Sequence, residues 1–422
     1  MKLPLINAAD ASPLIWKGNQ CITRAGLLHA SHQLAARLPP QTHVINLCAG
    51  RLAFMAVWMA TALRGQITLL PPNQSPGAMQ LLRDQYPQHT VIDDSDLAQL
   101  DWHSSMTEIP MLDDTKIIAT LFTSGSTGTP QPHAKTWANL TMTAKLDTQR
   151  FTPHPVNLVA TVPSQHMFGL QTTVLLPLMG GCAIHDSKPF FPADIRAALQ
   201  AIPAPRALIT TPAHLRTCIA SKLHLPEVEF VLSATAPLPL ELARQAESLW
   251  NTQVLEIYGS TEAGAIGTRR TTAGDVWQLH ADTRIIQNGV KTCFHASHLQ
   301  EPLLLNDHIE LLDAETFRLL GRETDQVKIA GKRGSLTELT RALLAIPGVV
   351  DGVIFMPPDA ARTAALVVAP SVNAAYILDE LARNVDAVFL PRPLITLDRL
   401  PRNDVGKLAQ QTLMNVMQSH IA

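Results

Sequence analysis

The stretch LFTSGSTGTPQPHAKTW occupies residues 121–137 and overlaps the end of the apolar run IIATLF at 117–122. Seven consecutive positions, 123–129, hold only glycine, serine or threonine. Such a segment exposes its backbone and offers little to pack. The same properties suit a loop that surrounds phosphate oxygens with backbone N–H groups and hydroxyls. We therefore predict a phosphate-binding loop that follows a buried strand.

The sequence around this loop alternates between strand and helix patterns. HVINLCAG (43–50) predicts a buried strand, the next residues (51–66) predict an apolar-faced helix, and ITLLPP (67–72) predicts another strand. Further short strands and helices follow in the same order up to about residue 273. This alternation is typical of an α/β fold in which helices flank parallel sheets. Ligands bind at the carboxyl ends of such strands, where the loop lies.

The pattern changes twice in the last third of the chain. Polar and apolar residues alternate from about residue 274, which predicts a small antiparallel unit. Beyond Arg322, a compact succession of short strands and helices predicts a small α+β domain. We expect one large domain at 1–323 and a second, smaller one at 324–422.

The composition excludes several classes of protein. The 422 residues are 46% hydrophobic and 16% charged, with a net charge of −2, as in ordinary globular proteins. We predict no membrane span, because no apolar run approaches about 18 residues, and no nucleic-acid partner, because there is no basic excess. The start, MKLPLINAAD, is a poor secretory signal. The five cysteines lack CxxC spacing, which favours reduced thiols in the cytoplasm.

The glycine-rich loop alone leaves alternatives open. A Walker phosphate loop needs GxxxxGK[ST], but Pro130 stands five residues after Gly125. A nucleophile elbow, GxSxG, is a near miss, because Ser124 stands two residues before Ser126. A flexible linker would have a similar composition, although this loop is embedded in the α/β pattern. Other stretches are needed to decide.

Three further stretches carry residue types that suit nucleotide chemistry. VLEIYGSTEAG (254–264) runs from a strand into a turn, where a carboxylate could hold Mg²⁺ against a phosphate and an aromatic ring could stack on a base. LLGRETDQVKIAGKRG (319–334) ends one region and opens another, and PRNDVGKLAQQ (401–411) places a lysine in a turn. With TSGSTGTP, they resemble the signature segments of the adenylate-forming superfamily, which comprises acyl-CoA synthetases, stand-alone adenylation domains and luciferases. The four segments occur in the family's order.

The resemblance implies an activity and a domain arrangement. It implies an ATP-dependent acid–thiol ligase that converts a carboxylic acid and Mg·ATP into acyl-AMP and pyrophosphate. A small mobile C-terminal domain then rotates, and the acyl group passes to the thiol of coenzyme A or of the phosphopantetheine arm of an acyl carrier protein. Adenylation needs cations and N–H donors arranged beforehand rather than a nucleophilic side chain. A mobile domain can complete such a site after substrates bind.

The resemblance also implies a nucleotide site. The glycine-rich loop would bind the β- and γ-phosphates of ATP through Thr123, Ser124, Gly125, Ser126, Thr127 and Gly128. SATAPLP (233–239) stands where the family has SGGAPL beside adenine, so Ala234, Thr235 and Ala236 would face the base. Asp307 of LLNDHIELL would bind the ribose hydroxyls, and Arg322 would be its companion.

The reacting groups follow from the same resemblance. Tyr258 would lie against adenine, Thr261 near the α-phosphate and Glu262 on Mg²⁺, while Lys407 would bridge the carboxylate and the α-phosphate. The acyl site would be lined by His166, Phe168 and Gly259. An apolar pocket formed by HMFGL and TTPAHL favours an aromatic or medium-sized apolar acid. Packing roles stay open for His166 and Phe168, and a surface position for Asp307.

The chain departs from the family pattern at several points. Gln131 and Pro132 replace the usual lysine and glycine after the loop, and Lys135 is the candidate to supply the missing charge. Thr324 stands at the usual hinge aspartate. The short stretch between Glu262 and Asp307 implies a trimmed β-subdomain, so we expect a compact, divergent branch. QPHAKTW is similar to small acyl synthetases of polyene or polyketide-type pathways, including aryl-polyene assembly.

Two rival functions remain at this point. A catalytically inactive nucleotide-binding relative is favoured by Gln131 and the trimmed β-subdomain and opposed by the retained Glu262 and Lys407. A serine hydrolase built on Ser126 is the other, and a fluorophosphonate probe would detect it. The sequence leaves open which acid is used, whether coenzyme A or a carrier protein accepts it, and the oligomeric state.

Overall fold

The computed structural model describes residues 1–18, 20–124, 130–288, 291–299, 301–322, 325–358, 360–403, 406 and 408–421. Its strands and helices alternate over the first two thirds of the chain. The predicted α/β class is confirmed. No helix in these ranges is both long and apolar enough to cross a membrane.

The first sheet carries the glycine-rich loop. Its order is β6-β4-β5-β8-β9, with parallel pairing up to β8 and an antiparallel β8–β9 hairpin. The strands are β4 (His43–Asn46), β5 (Ile67–Leu70), β6 (His89–Ile92), β8 (Ile117–Ser124) and β9 (Pro130–Thr136). Residues 125–129, which join β8 to β9, lie outside the described residues. The loop therefore follows the carboxyl end of a parallel strand, as predicted.

The second sheet has eleven strands in the order β20-β21-β16-β15-β14-β13-β12-β10-β11-β2-β3. Its middle is parallel from β14 to β2, and antiparallel strands extend both edges. The strands are β2 (Pro13–Lys17), β3 (Gln20–Thr23), β10 (Asn157–Ala160), β11 (Ala183–His185), β12 (Arg206–Thr210), β13 (Phe230–Ser233), β14 (Gln253–Ser260), β15 (Gly264–Arg270), β16 (Val276–Leu279), β20 (Asp307–Leu311) and β21 (Thr316–Arg322).

The two sheets share one apolar core that contains a helix buried along all but its last residue. The helices of this part are α1 (Arg24–Arg37), α2 (Arg51–Leu63), α3 (Pro76–Gln85), α4 (Trp137–Phe151), α5 (Met167–Leu170), α6 (Leu176–Met179), α7 (Pro192–Gln200), α8 (Pro212–Ala220) and α9 (Leu240–Trp250). Helix α2 is apolar on every side, and Trp58 at its centre is 1% exposed. A helix that is hydrophobic all round belongs inside a core. The sequence predicted a helix with one apolar face, whereas α2 is buried on all its faces.

Two smaller sheets complete the large part of the chain. Strands β17 (Thr283–Asn288), β18 (Lys291–Ala296) and β19 (Leu303–Leu305) form an antiparallel three-stranded sheet. Strands β1 (Lys2–Pro4) and β7 (Met111–Asp113) pair with each other. The antiparallel unit expected from residue 274 is therefore divided, because β16, β20 and β21 extend the eleven-stranded sheet instead.

Residues 325–358, 360–403, 406 and 408–421, here called the C-terminal unit, have their own apolar clusters. The strands are β22 (Gln326–Ile329), β23 (Lys332–Ser335), β24 (Asp351–Phe355), β25 (Ala364–Val368) and β26 (Leu394–Thr396). The helices are α10 (Leu336–Leu344), α11 (Ala374–Ala382) and α12 (Gln410–Ile421). The predicted boundary at residues 323 and 324 lies outside the described residues. The division into two domains stays a prediction.

Candidate active site

A tight turn between β14 and β15 carries Thr261 and Glu262. A Cβ on Gly259 would clash with the carbonyl oxygen of Gly264, and Gly264 itself has a φ of +75°. Both positions therefore need glycine, one for close approach and one for backbone conformation. The turn holds Thr261 and Glu262 half-buried at the end of the parallel part of the sheet.

Lys135 joins this turn to the hairpin of the other sheet. It is the next-to-last residue of β9 and only 5% exposed, and its Nζ donates to the Glu262 carbonyl oxygen at 2.7 Å. Burial lowers the pKa of Lys135 to about 8, although the nearby Glu262 carboxylate acts to raise it. The ammonium thus holds the main chain of the turn, whereas Gln131 at the family's lysine position is exposed. The predicted role of Lys135 toward phosphate stays a prediction.

His133, which the sequence reasoning missed, lies between the two segments. Its Nε2 is 3.0 Å from Thr123 Oγ1 and 3.4 Å from Glu262 Oε1. Burial lowers the pKa of His133, with Glu262 acting to raise it and Lys135 to lower it. The sequence pattern could have indicated His133, because every second residue of a strand lies on the same face, and Gln131, His133 and Lys135 share one face of β9.

The Glu262 carboxylate is suited to hold a cation together with phosphate. Its side chain is 41% exposed. Burial acts to raise its pKa, but hydrogen bonds from its own backbone and from Ser260, with the charges of His133 and Lys135, outweigh burial and lower the pKa. Mg²⁺ commonly uses one or two carboxylates plus substrate phosphates. The described residues contain no group of three or more His, Cys, Asp or Glu side chains that could hold a metal ion.

The structure brings Tyr258 and Asp307 together. The Tyr258 hydroxyl donates to Asp307 Oδ2 at 2.7 Å, and its ring lies 5.8 Å from the rings of both Trp277 and Phe317. Asp307 also pairs with Arg322 in the β20–β21 ladder, although the Arg322 side chain is outside the described residues. The resemblance implies separate nucleotide contacts for the tyrosine and the aspartate. The structure adds a contact between the two side chains.

The segment after β13 adopts an unusual backbone conformation. Thr235 has a φ of +79°, which is rare for a β-branched residue and stores strain. It stands where the resembling family has glycine. Ala234 is buried in the core, while Thr235 and Ala236 are partly exposed. Of the three residues expected to face adenine, the side chains of the last two are partly accessible.

Two of the three predicted acyl-site residues lie at the start of α5, and the third, Gly259, lies near the end of β14. His166 precedes this helix as its N-cap residue and is half-buried, whereas Phe168 is 9% exposed and packs into the main core. The next turn contains Gln171, whose buried Nε2 has no hydrogen-bond partner within the described part of the chain. A Cβ on Gly264 would lie 3.3 Å from that nitrogen. Gln171 is thus a second polar residue, missed from the sequence, near the Glu262 turn.

Besides Arg322, six predicted residues are not described in full. Ser124 is placed by its backbone at the end of β8, but its side chain is outside the described residues. The following lie outside them altogether: Gly125, Ser126, Thr127, Gly128 and Lys407. Their predicted roles remain predictions.

Comparison with known proteins decides the family. The sequence model for the AMP-binding enzyme family matches residues 21–322. The chain belongs to the AMP-binding enzyme family. This confirms the resemblance and the expected class of enzyme, an AMP-forming acid–thiol ligase that uses ATP.

Other members of the AMP-binding enzyme family agree with this assignment. A 4-coumarate–CoA ligase of Halorhodospira halophila is 31% identical over 301 residues, which are 68% of this chain and 74% of that enzyme. The corresponding ligase of Cereibacter sphaeroides is 29% identical over 301 residues, covering 69% and 70% of the two chains. The anthranilate CoA ligase AuaEII, solved with anthranoyl-AMP, superposes with a TM-score of 0.82 over 99% of this chain and 98% of its own. At 13% identity this likeness shows the fold alone.

Proposed function

We propose that this chain activates an aromatic or medium-sized apolar carboxylic acid as acyl-AMP and transfers the acyl group to a thiol, either coenzyme A or the phosphopantetheine arm of a carrier protein. The observation that supports this most is the junction at Glu262. There the partly exposed Glu262 carboxylate lies 3.4 Å from His133 Nε2, and the same nitrogen lies 3.0 Å from Oγ1 of Thr123, the first residue of the glycine-rich loop. Lys135 Nζ bonds the backbone carbonyl of Glu262. Two different sheets thus meet where phosphate is expected.

In the first step a carboxylate oxygen of the acid attacks the α-phosphorus of ATP. A bond forms between that oxygen and phosphorus, the bond to the β-phosphate oxygen breaks, and pyrophosphate leaves. Glu262 would hold Mg²⁺, which neutralises charge on the phosphates when bound. Thr261 and Lys407 would donate to the α-phosphate, and fixed donors of this kind stabilise developing charge without reorganisation.

The ribose would be held by the carboxylate of Asp307. Tyr258 fixes this side chain through its hydroxyl, and the aromatic rings around Tyr258 fix the tyrosine in turn. Arg322 is the adjacent partner in the β20–β21 ladder and would act as the companion of Asp307. Fixing Asp307 before the nucleotide binds reduces the ordering that binding requires.

In the second step a thiolate attacks the acyl carbon of acyl-AMP. The thioester bond forms, the bond to the phosphate oxygen breaks, and AMP leaves. The names of the relatives support coenzyme A as acceptor and an aromatic acid as substrate, since two of them are 4-coumarate–CoA ligases. The apolar surroundings of α5, with Phe168 in the core, support the same substrate class. The cytoplasm is the proposed location, and all five cysteines are free thiols, as expected there.

Pyrophosphate release from Mg·ATP, measured over a panel of aromatic and aliphatic acids, tests the proposal. We expect release that depends on the acid and that falls by about 10²–10³ in the Lys407→Ala variant. Adding coenzyme A should then yield the thioester of the same acid. Release that is independent of every acid, or that is unchanged in Lys407→Ala, would contradict the proposal.

An inactive nucleotide-binding relative is the second candidate. It is favoured by two observations: Gln131 replaces the loop lysine, and the amine of Lys135 is already bonded to the Glu262 main chain. Measurable ATP binding without pyrophosphate release for any acid would favour this candidate. Covalent labelling by a fluorophosphonate probe would instead support the hydrolase alternative at Ser126.

A further inference from the structure

Asp351, at the start of β24 in the C-terminal unit, carries two arginines on one carboxylate. Arg402 donates to it from Nε at 2.9 Å and from Nη2 at 2.7 Å, in the bidentate arrangement that gives strong, directional pairing. Arg216, on α8 of the large part of the chain, donates from Nη1 to Asp351 Oδ1 at 2.9 Å, the same oxygen that accepts from Arg402 Nη2. Asp351 thus links the two parts of the protein.

This cluster is sheltered from water. The side chains of Arg216, Asp351 and Arg402 are 18%, 14% and 21% exposed. Ion pairs on an open surface contribute little because water and salt screen them, but screening is weaker for partly buried groups. Burial lowers the pKa of Arg216 while Asp351 acts to raise it. Removing the carboxylate would leave two guanidinium groups facing each other.

The cluster continues into the turn that precedes Lys407. Arg402 also donates from Nη1 to the carbonyl oxygen of Gly406 at 2.7 Å. The backbone N–H of Gly406 donates to the carbonyl of Asn403 at 2.8 Å and closes the turn. One guanidinium therefore contacts both the Asp351 carboxylate and the carbonyl oxygen of Gly406, the residue that precedes Lys407 in the sequence.

The same helix, α8, contacts this turn a second time. A Cβ on Gly406 would lie 3.4 Å from Ala213 Cβ and 3.5 Å from Thr211 Oγ1. Thr211 is the N-cap residue of α8, and its hydroxyl accepts from the backbone N–H of His214. The N-terminus of α8 thus lies against Gly406, and Arg216, one turn further along, reaches Asp351.

We propose that Arg216, Asp351 and Arg402 are positioning residues that dock the Gly406 turn on α8, so that Lys407 is presented for adenylation. This rests on the proposed function of Lys407. The ion pair between Arg216 and Asp351, here called the Arg216 arm, joins the two parts of the chain. The bidentate pair between Arg402 and Asp351 lies within the C-terminal unit. Because the lysine is expected to act in the first step only, the Arg216 arm matters for acyl-AMP formation and not for thioester formation from acyl-AMP.

Arg216→Gln tests this, since it removes the arm between the parts and leaves the Asp351–Arg402 pair intact. Arg196→Gln is the matched control, because Arg196 is exposed on α7 and the change in charge is the same. We expect acid-dependent pyrophosphate release to fall about tenfold in Arg216→Gln, the effect of about 1.4 kcal/mol of lost docking. Thioester formation from supplied acyl-AMP should stay within about twofold of wild type, and Arg216→Lys should restore part of the first step.

Two outcomes would overturn the proposal. Arg216→Gln could match Arg196→Gln in both steps, or it could slow both steps equally while lowering the melting temperature, as a purely structural role requires. If wild type releases no pyrophosphate with any acid, the proposed function fails separately. Hydrogen exchange then still tests the docking: residues 400–408 should exchange faster in Arg216→Gln than in Arg196→Gln, and equal rates would refute it.

Discussion

Helix α4 and strand β15 run from the candidate active site, here called the near end, to a second polar region, here called the far end. The two ends differ in the hydrogen bonding and charge of their buried ionisable groups. At the near end, Lys135 precedes α4 and bonds the Glu262 carbonyl, and His298 Nε2 lies 3.0 Å from the Ala263 carbonyl. At the far end, Asp147 of α4 is fully buried, and neither of its carboxylate oxygens has a hydrogen-bond partner among the described residues.

At the far end, burial favours the uncharged forms of an aspartate and a histidine. His280 Nε2 lies 3.8 Å from Asp147 Oδ1, the geometry of an ion pair. However, burial raises the pKa of Asp147 to about 8 and lowers the pKa of His280 to about 4. Burial thus favours the uncharged forms of both groups over an ion pair.

The difference between Lys135 and Asp147 shows that a buried group stays charged where it has a hydrogen-bond partner. Lys135, with a pKa of about 8, is still mostly protonated at neutral pH and has a backbone carbonyl to bond. Asp147 has no such partner among the described residues, and burial favours its protonated form. A cavity of about 350 Å³ lies at the far end, lined in part by Arg150, Gln278 and His280, and Glu262 is not among the residues that line it. We expect the near end to govern catalysis and the far end to govern stability.

Glu262→Gln should have the largest effect on the near end. Replacing the carboxylate by an amide removes the expected ligand for Mg²⁺ and should slow acid-dependent pyrophosphate release by about 10²–10³. The melting temperature should hardly change, because the side chain is partly exposed. Glu227→Gln, on an exposed loop, is the control. A Glu262 variant as fast as this control would remove the carboxylate from the mechanism.

Asp147→Asn should have the next largest effect, on the pH dependence of stability. The folded-state pKa is raised from 3.8 to about 8, so this group's contribution is fully present below pH 3.8 and is lost as pH rises to about 8. Asparagine does not titrate. The stability of the variant relative to wild type should therefore increase from pH 5 to pH 8, by a few kcal/mol at most, since each pK unit corresponds to about 1.4 kcal/mol.

Urea unfolding at pH 5, 6, 7 and 8 would measure this difference, with the exposed Asp194→Asn as control. The rate of pyrophosphate release should be the same in all three proteins at pH 7. Parallel stability curves for wild type and Asp147→Asn would mean that the buried carboxyl is ionised after all.

Lys135→Met should have a smaller effect on catalysis. Methionine fills a similar space but leaves the Glu262 carbonyl without its donor, and an unsatisfied buried acceptor costs about 1–3 kcal/mol. We expect pyrophosphate release to fall about tenfold. Lys116→Met on the preceding strand connection is a control, since Lys116 is exposed. If instead the KM for ATP rises strongly, Lys135 contacts phosphate directly and replaces the missing charge at Gln131.

Thr235→Gly should have the smallest effect, a gain in stability of up to about 1 kcal/mol. Glycine adopts a φ of +79° without the strain that threonine stores, although it loses more entropy on folding. Thr217→Gly in α8 is the matched control and should destabilise, because glycine is a poor helix former. Thermal unfolding of the two variants gives the comparison, and equal losses in both would show that Thr235 is not strained.

Much of the fold could be predicted from the sequence, because it depends on local patterns. The strands at 43–46 and 67–70 and the loop after β8 follow from alternation and from the glycine, serine and threonine run. The family segments also indicated Glu262, Tyr258 and Asp307. The contacts among side chains from different segments could not be predicted, since they depend on how the sheets meet.

His133 illustrates this limit most clearly. Nothing in its local sequence indicates Glu262, which is 129 positions away, and the two meet only because the β8–β9 hairpin faces the β14–β15 turn. Arg216 and Asp351 are likewise brought together by the packing of the C-terminal unit on α8. The positive φ of Thr235 could not be predicted from the sequence either, because threonine disfavours that conformation.

The most direct test of the central claim is to trap acyl-AMP itself. The enzyme would be incubated with ATP, Mg²⁺ and an aromatic acid in the absence of thiol, and hydroxylamine would convert any acyl-AMP to a hydroxamate. We predict acid-dependent hydroxamate with wild type and Glu227→Gln, and almost none with Glu262→Gln. ATP binding without hydroxamate for every acid tested would contradict the assignment of this site to acid activation.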